Sequence, residues 1–232
     1  MNILAHKQEF IKTLNGLDSS KSRWDNFNNF CEMSYCALAK ATANEETAEK
    51  LEARYMRIIG TYENKDDRMN IANLFGIVTI ALENGGCDFL GDIAGELELL
   101  DKRNGQFFTP YDISKLLAQI SIMGADDLIQ KDGFISVSDP AAGAGCTILA
   151  VADILEEQGH ILHECMSVHV TELSKMTFYM LYIQLALRGI PAHVVHGDSL
   201  TMEVFESSYT PVSLVFVICV MKNKYGRGGL GV

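Results

Sequence analysis

Apolar residues recur with helical spacing through the first hundred residues of the chain. Four stripes follow the i, i+3, i+4, i+7 template, and each of them predicts an amphipathic helix. These stripes run over residues 27–38, 51–62, 71–82 and 89–100. Asn44 and Asp66 precede acid-rich first turns and are predicted N-caps, and Gly85-Gly86 predicts a break before the last helix. We therefore expect a helical bundle over about residues 20–100.

The pattern changes beyond residue 104, where all four prolines and most of the glycines lie. Short apolar runs typical of buried strands occupy residues 134–138, 167–171, 192–196 and 212–220. Helical patterns occupy residues 111–123, 146–158 and 173–188. This alternation predicts a parallel sheet with crossover helices, so the expected fold class is α/β. The fourth run is almost wholly apolar, as expected of a strand that is covered on both faces.

Three parts of the chain follow from this change of pattern. Residues 1–104 are predicted to form an N-terminal helical domain, and residues 105–221 a domain built on the sheet. The polar stretch Asp101-Lys-Arg-Asn104 is the expected connector between them. Residues 222–232 form a Gly-rich basic tail with the composition of a disordered segment.

Charge and cysteine usage exclude several classes of protein. Nineteen basic against thirty acidic side chains give a net charge of −11, which opposes non-specific attraction to nucleic acid unless a partner supplies DNA binding. The six cysteines contain no C-x-x-C pair, so reduced thiols are expected rather than a zinc site or disulfide framework. The longest apolar run, residues 214–221, is far shorter than the ~20 residues of a membrane span. With no export signal visible, we expect a cytoplasmic protein and no membrane partner.

The segment Asp139–Gly145 stands at the predicted carboxyl end of the first strand, before a helix. An open α/β sheet binds its ligands at such an edge. Gly143 and Gly145 remove the Cβ atoms that would keep a ligand away from the backbone. A dinucleotide fingerprint would require a third small residue where this chain has Ile148. The segment therefore indicates a nucleotide-like cofactor site.

Two further acids follow the next two strands. Glu172 could accept hydrogen bonds from ribose hydroxyls, and Asp198 could accept a hydrogen bond from the exocyclic amine of an adenine ring. Each feature also has a purely structural interpretation. The glycines could serve a tight turn, Glu172 could be a solvated acid at the start of a helix, and Asp198 could cap a following helix.

The order of motifs resembles that of the adenine-specific DNA methyltransferases of the type I modification-subunit class. Gly105-Gln-Phe-Phe-Thr-Pro110 precedes Asp139-Pro-Ala-Ala-Gly-Ala-Gly145, with Asp88-Phe-Leu-Gly-Asp-Ile-Ala-Gly-Glu96 upstream of both. Glu172-Leu-Ser-Lys-Met and His196-Gly-Asp-Ser-Leu200 follow in the order and spacing of that family's cofactor motifs. The resemblance implies a Rossmann-like S-adenosylmethionine-dependent methyltransferase fold with an N-terminal helical domain.

The resemblance also implies contacts to S-adenosylmethionine. The residues that would cover its methionine end are Phe107, Thr109 and Pro110. Those that would form the loop beneath it are Asp139, Ala141, Gly143 and Gly145. Glu172 would bind the ribose, and Asp198 would bind the adenine amine.

The family captures its target base with an Asn-Pro-Pro-Tyr/Phe motif after the fourth strand. The asparagine oxygen and a prolyl carbonyl accept from the adenine amine, and the aromatic ring stacks on the extruded base. This chain has no such motif, and Asn223 and Tyr225 are two residues apart rather than three, so no catalytic role is carried onto any residue. We expect a sheet that is truncated after its fourth strand. Another subunit or a second copy would then cover the edge of that strand.

Three functions compete at this point. The first is an S-adenosylmethionine-dependent DNA (adenine-N6) methyltransferase of the type I restriction-modification kind, which acts on DNA together with a specificity subunit or another chain. The second is a catalytically inactive S-adenosylmethionine-binding or interaction module of that family, because the base-capture motif is absent. The third is a nicotinamide-dependent oxidoreductase, against which Ile148 and the segment Gly105–Pro110 count.

Overall fold

The computed structural model describes residues 2–83, 85–99 and 109–225. The helices before residue 100 are α1 (Ile3–Asn15), α2 (Arg23–Ala39), α3 (Glu45–Ile59), α4 (Lys65–Leu82) and α5 (Phe89–Glu96). Those after residue 108 are α6 (Tyr111–Ser121), α7 (Ala125–Asp132), α8 (Cys146–Glu157), α9 (Leu162–Cys165), α10 (Lys175–Leu187) and α11 (Ser213–Tyr225). The strands are β1 (Ile135–Asp139), β2 (Met166–Glu172), β3 (Ala192–Asp198) and β4 (Glu203–Tyr209).

The four apolar stripes of the first part correspond to helices α2 to α5, as predicted, and α1 precedes them. The Asn44 side chain caps α3 by accepting a hydrogen bond from the Thr47 amide at 2.9 Å. The predicted cap of α4 is wrong by two residues. Asn64, whose backbone is extended, accepts from the Asp66 amide, whereas Asp66 already lies in the first turn. Gly85 and Gly86 have φ values of +66° and +79°, so the predicted break is confirmed.

The sheet has the strand order β1-β2-β3-β4. The first three strands are parallel, as predicted, and β4 runs antiparallel to β3. Asp139 lies opposite Val170, and Glu172 lies opposite His196. The carboxyl ends of β1, β2 and β3 therefore meet at one edge of the sheet.

The predicted fourth strand is wrong, because residues 213–220 belong to helix α11 and the fourth strand is the more polar β4. The Thr210 hydroxyl accepts from the Ala192 amide at 2.9 Å and donates to the Ile190 carbonyl at 2.7 Å, which anchors the end of β4 to the start of β3. Pro211 lies two residues before α11, where the missing proline N–H has no helical bond to lose. The expected open edge along residues 212–220 therefore does not exist. Among the described residues, β1 and β4 each have a sheet neighbour on one side only.

The bundle packs against the sheet through α10, which is buried around most of its circumference. The Tyr35 ring of α2 lies 4.9–5.1 Å from the rings of Phe178, Tyr179 and Tyr182 on α10. Arg54 of α3 extends this contact by donating to Glu206 of β4 at 2.6 Å. One continuous apolar core joins the helical part and the sheet part. The predicted division at residue 104 and the connector 101–104 fall at residues outside the described ranges. No helix among the described residues has both the length and the apolar character that a membrane crossing requires.

Candidate functional site

The loop between β1 and α8 adopts a conformation that its glycines make possible. The Asp139 carboxylate accepts from the Ala141 amide at 3.0 Å, as aspartate does in a local turn. The Ala142 amide then donates to the Thr171 carbonyl at 3.0 Å and ties the loop to β2. Gly143 and Gly145 have φ values of +58° and +98°, where residues with a Cβ are strained. Both glycines therefore serve a tight turn at the edge where an α/β sheet binds ligands.

Helix α10 lies directly under this loop. A Cβ built on Gly145 would approach Leu181 Cδ1 to 2.7 Å, which no real side chain tolerates without movement. The Gly145 amide donates to the Ala142 carbonyl at 2.9 Å and closes the turn. Glycine at position 145 is thus favoured by its backbone conformation, and a Cβ there would also displace the end of the Leu181 side chain.

Glu172 joins the end of β2 to the loop. Its Oε2 accepts from the Gly143 amide at 3.0 Å, and its Oε1 accepts from the Ser174 amide at 2.7 Å. Burial raises the pKa of this carboxyl, while the two backbone amides oppose that shift. Each carboxylate oxygen has a further lone pair, so Glu172 can still accept hydrogen bonds from a ligand.

Asp198 ends β3 at the same edge. Its Oδ1 accepts from the amides of Leu200 and Thr201 at 2.8 and 3.3 Å, and these bonds lower the pKa of the carboxyl. The chain then turns into β4, so the alternative in which Asp198 caps a following helix is wrong. Asp198 is an ionised, partly accessible acceptor at the carboxyl end of its strand.

Two of the predicted residues that precede α6 lie within the described part of the chain. Thr109 and Pro110 are exposed, and the Thr109 carbonyl accepts from the Cys146 thiol at 3.4 Å, at the start of α8. This contact places Thr109 beside the end of the glycine loop. Phe107 lies outside the described residues.

Two buried residues, one that bonds the loop and one that bonds its partner, were not among the predicted site residues. Gln184 of α10 donates to the Ala144 carbonyl at 2.8 Å, and it also donates to Asp88 at 2.7 Å. The signal for Gln184 was a polar amide in an otherwise apolar buried helix. Asp88 begins the upstream segment that carried part of the family resemblance, but no role could be assigned to it from the sequence.

The comparison with family models identifies the chain. The N-6 DNA Methylase family matches residues 90–223, which is more than half of the sequence. The chain therefore belongs to the N-6 DNA methylase family. This membership favours the methyltransferase interpretation over a nicotinamide-dependent oxidoreductase.

Among curated proteins, the methylase subunit of the type I restriction enzyme MpnII of Mycoplasma pneumoniae is 31% identical over 115 residues. The match covers 48% of this chain and 20% of that protein, so the chain corresponds to about a fifth of the relative's length.

Two solved structures are distantly similar. One is a putative class I S-adenosylmethionine-dependent methyltransferase from Listeria monocytogenes, at 16% identity with a TM-score of 0.45, covering 94% of this chain and 70% of that one. The other is a type I restriction-modification methyltransferase subunit from Streptococcus thermophilus, at 15% identity with a TM-score of 0.45, covering 88% and 60%. Membership of the family rests on the sequence match.

Proposed function

We propose that this chain forms the S-adenosylmethionine-binding part of a DNA (adenine-N6) methyltransferase of the type I restriction-modification kind. The observation that carries the proposal is the bond from Gly143 to Glu172. It joins the glycine turn after β1 to the acid after β2, at the edge where α/β folds bind nucleotides. The family match over residues 90–223 supplies the class of reaction.

The residues at this edge suit the cofactor in chemical character. Gly143 and Gly145 expose backbone without Cβ atoms, and the remaining lone pairs of Glu172 suit the two ribose hydroxyls. Asp198 is an ionised acceptor that suits the adenine amine. Ala141 and Asp139 would support the methionine part from below, with Thr109, Pro110 and Phe107 covering it. The bound cofactor would supply an electrophilic methyl group on its sulfonium sulfur.

DNA and a specificity subunit are the partners that this function implies. The curated relative is a methylase subunit of a type I restriction enzyme, which supports assembly with other chains. Affinity for DNA depends largely on neutralising its phosphates, and a chain with a net charge of −11 has little capacity to do so. We therefore assign DNA binding mainly to the assembled enzyme, and we assign no residue of this chain to base capture.

Isothermal titration with S-adenosylmethionine, S-adenosylhomocysteine and NAD⁺ tests the proposal. We expect the first two to bind and NAD⁺ not to bind. Glu172→Ala should weaken binding by one to two decades, since losing charge-assisted hydrogen bonds costs roughly 1.5–3 kcal/mol. Glu52→Ala, on the exposed surface of α3, is the control and should bind as the wild type does. Binding of NAD⁺ alone, or equal affinity in both variants, would contradict the proposal.

A further inference from the structure

A buried chain of hydrogen bonds connects the start of α5 to the glycine loop. Gln184 is fully buried, and Asp88 is 2% exposed. The Gln184 Nε2 donates to Asp88 Oδ1 at 2.7 Å and to the Ala144 carbonyl at 2.8 Å, while its Oε1 accepts from the Leu90 amide at 3.0 Å. The chain joins residues that are 40 and 96 positions apart in the sequence.

The side-chain amide of Gln184 has a hydrogen-bond partner for each N–H and for its oxygen. Both N–H groups have an acceptor, and the oxygen has a donor, so the plane of the amide is fixed. Asp88 Oδ1 also accepts from the Gly91 amide at 3.0 Å, which holds the aspartate as the cap of α5. Removing the Asp88 oxygen would leave one Gln184 N–H buried without its acceptor, which is costly enough to move the amide.

The Ala144 carbonyl is bonded by a side chain from outside the loop. It lies between Gly143 and Gly145, and glycine restricts its own backbone less than any other residue. Within the loop, the bond from the Gly145 amide to the Ala142 carbonyl at 2.9 Å holds only the N–H side of the peptide between Ala144 and Gly145. In the structure, Gln184 holds the carbonyl side of this plane, and Leu181 packs beneath Gly145.

We propose that Asp88 is a positioning residue for the cofactor loop, which acts through Gln184 to hold the Ala144–Gly145 peptide in its binding orientation. The proposal rests on the proposed function in assigning that loop to the cofactor. The family resemblance includes the segment Asp88–Glu96, but the cofactor contacts assign no role to it. The proposal gives this segment a role through Asp88.

The surroundings of Asp88 agree with a role that depends on its oxygen atom more than on its charge. The nearby charged groups are Lys7 of α1 and Asp92 of α5, which form an ion pair with each other. The nearby thiols are Cys87 and Cys146, whose pKa values burial raises to about 12, so both are neutral. Burial likewise raises the pKa of Asp88 to about 6. No cation bonds Asp88 directly among the described residues, so an uncharged acceptor at the same position should serve.

Three variants separate positioning from a merely structural role. Asp88→Ala removes the acceptor, and Asp88→Asn keeps an acceptor oxygen without the charge. Tyr62→Phe is the matched control, because it removes a buried bond to Asn26 inside the helical bundle, away from the loop. The readouts are the affinity for S-adenosylhomocysteine and amide hydrogen exchange in residues 141–146.

We expect Asp88→Ala to weaken S-adenosylhomocysteine binding at least tenfold and to speed exchange in residues 141–146 at least tenfold. Asp88→Asn should stay within threefold of the wild type in both readouts. Tyr62→Phe should lower the melting temperature while leaving both readouts unchanged. Unchanged loop exchange in Asp88→Ala, or an equal effect of Tyr62→Phe, would overturn the proposal.

Gln184→Met provides a second route if Asp88→Ala fails to fold. Methionine has a similar length and lacks the donors, so loop exchange should rise as in Asp88→Ala, and unchanged exchange would overturn the proposal. The exchange readout also keeps the two proposals distinguishable. If the wild type binds no S-adenosylhomocysteine but the variants still loosen the loop, the proposed function fails and the positioning role of Asp88 stands.

Discussion

Replacing Asp88 with asparagine should stabilise the protein at pH 8 and change its stability little at pH 4. The carboxyl is almost completely buried, and burial raises its pKa from 3.8 to about 6. The folded state therefore binds this proton more tightly than the unfolded state does. Between about pH 4 and pH 6 the unfolded chain is ionised while the folded chain holds its proton, so this group lowers the free energy of unfolding as the pH rises.

The size of the effect follows from the shift in pKa. The rise in the Asp88 pKa from 3.8 to about 6 corresponds to about 3 kcal/mol of unfolding free energy, which is lost in full above pH 6. Asparagine has no such ionisation and retains an acceptor for Gln184 and Gly91. Asp88→Asn should thus raise the free energy of unfolding by about 3 kcal/mol at pH 8 and by less than about 1 kcal/mol at pH 4.

Urea unfolding at the two pH values measures this difference. With m-values of about 1–3 kcal/mol per molar, the midpoint at pH 8 should rise by roughly 1–3 M at constant m. Asp66→Asn, in the first turn of α4, is the control and should change stability by no more than about 1 kcal/mol at either pH. If Asp88→Asn lowers stability at pH 8, or changes it equally at both pH values, the ionised carboxylate is not the destabilising form and the reasoning is refuted.

Two further predictions concern the loop and the reaction. Gly145→Ala should destabilise the protein by about 2–4 kcal/mol, because it combines a positive φ with a 2.7 Å approach of the new Cβ to Leu181. The control is Gly159→Ala, which has a positive φ in open space and should cost only about 1 kcal/mol. Thermal unfolding of both checks this, and equal losses would mean that the contact with Leu181 is unimportant. Cofactor binding and methyl transfer should also be separable, since the Asn-Pro-Pro motif is absent. With radiolabelled S-adenosylmethionine and unmethylated DNA, the chain alone should transfer no label to adenine, and transfer above a no-protein blank would show that other residues capture the base.

The helices of the first part and the glycine loop were predictable because local residues decide them. Helices α2 to α5 follow an apolar period that needs no knowledge of the partner surface. Gly143 and Gly145 are required by backbone conformations that residues with a Cβ rarely adopt. The parallel direction of β1, β2 and β3 was also predictable from the sequence, since helices connect these strands and bring their carboxyl ends to one edge.

The structure of segment 212–220 could not be predicted from local sequence alone. A short, mostly apolar run suits a buried strand and a helix equally well, because periodicity does not separate the two over so few residues. The surrounding structure decided it. Thr210 fixes the end of β4 against β3, and the chain then turns at Pro211 into α11. The sequence does not predict the antiparallel edge strand β4 for the complementary reason, since its polar residues lack the apolar run typical of a buried strand.

By itself, then, the sequence determined the elements whose pattern is local, the α/β class, and the order of cofactor motifs that indicated the family. Only the tertiary structure decided which distant polar groups share hydrogen bonds. Glu172 meets Gly143 because β2 ends beside the loop, and Asp88 meets Gln184 because α5 packs against α10. The physical reason is that a buried polar group must find a partner, and the partner it finds depends on the packing of whole elements rather than on neighbouring residues.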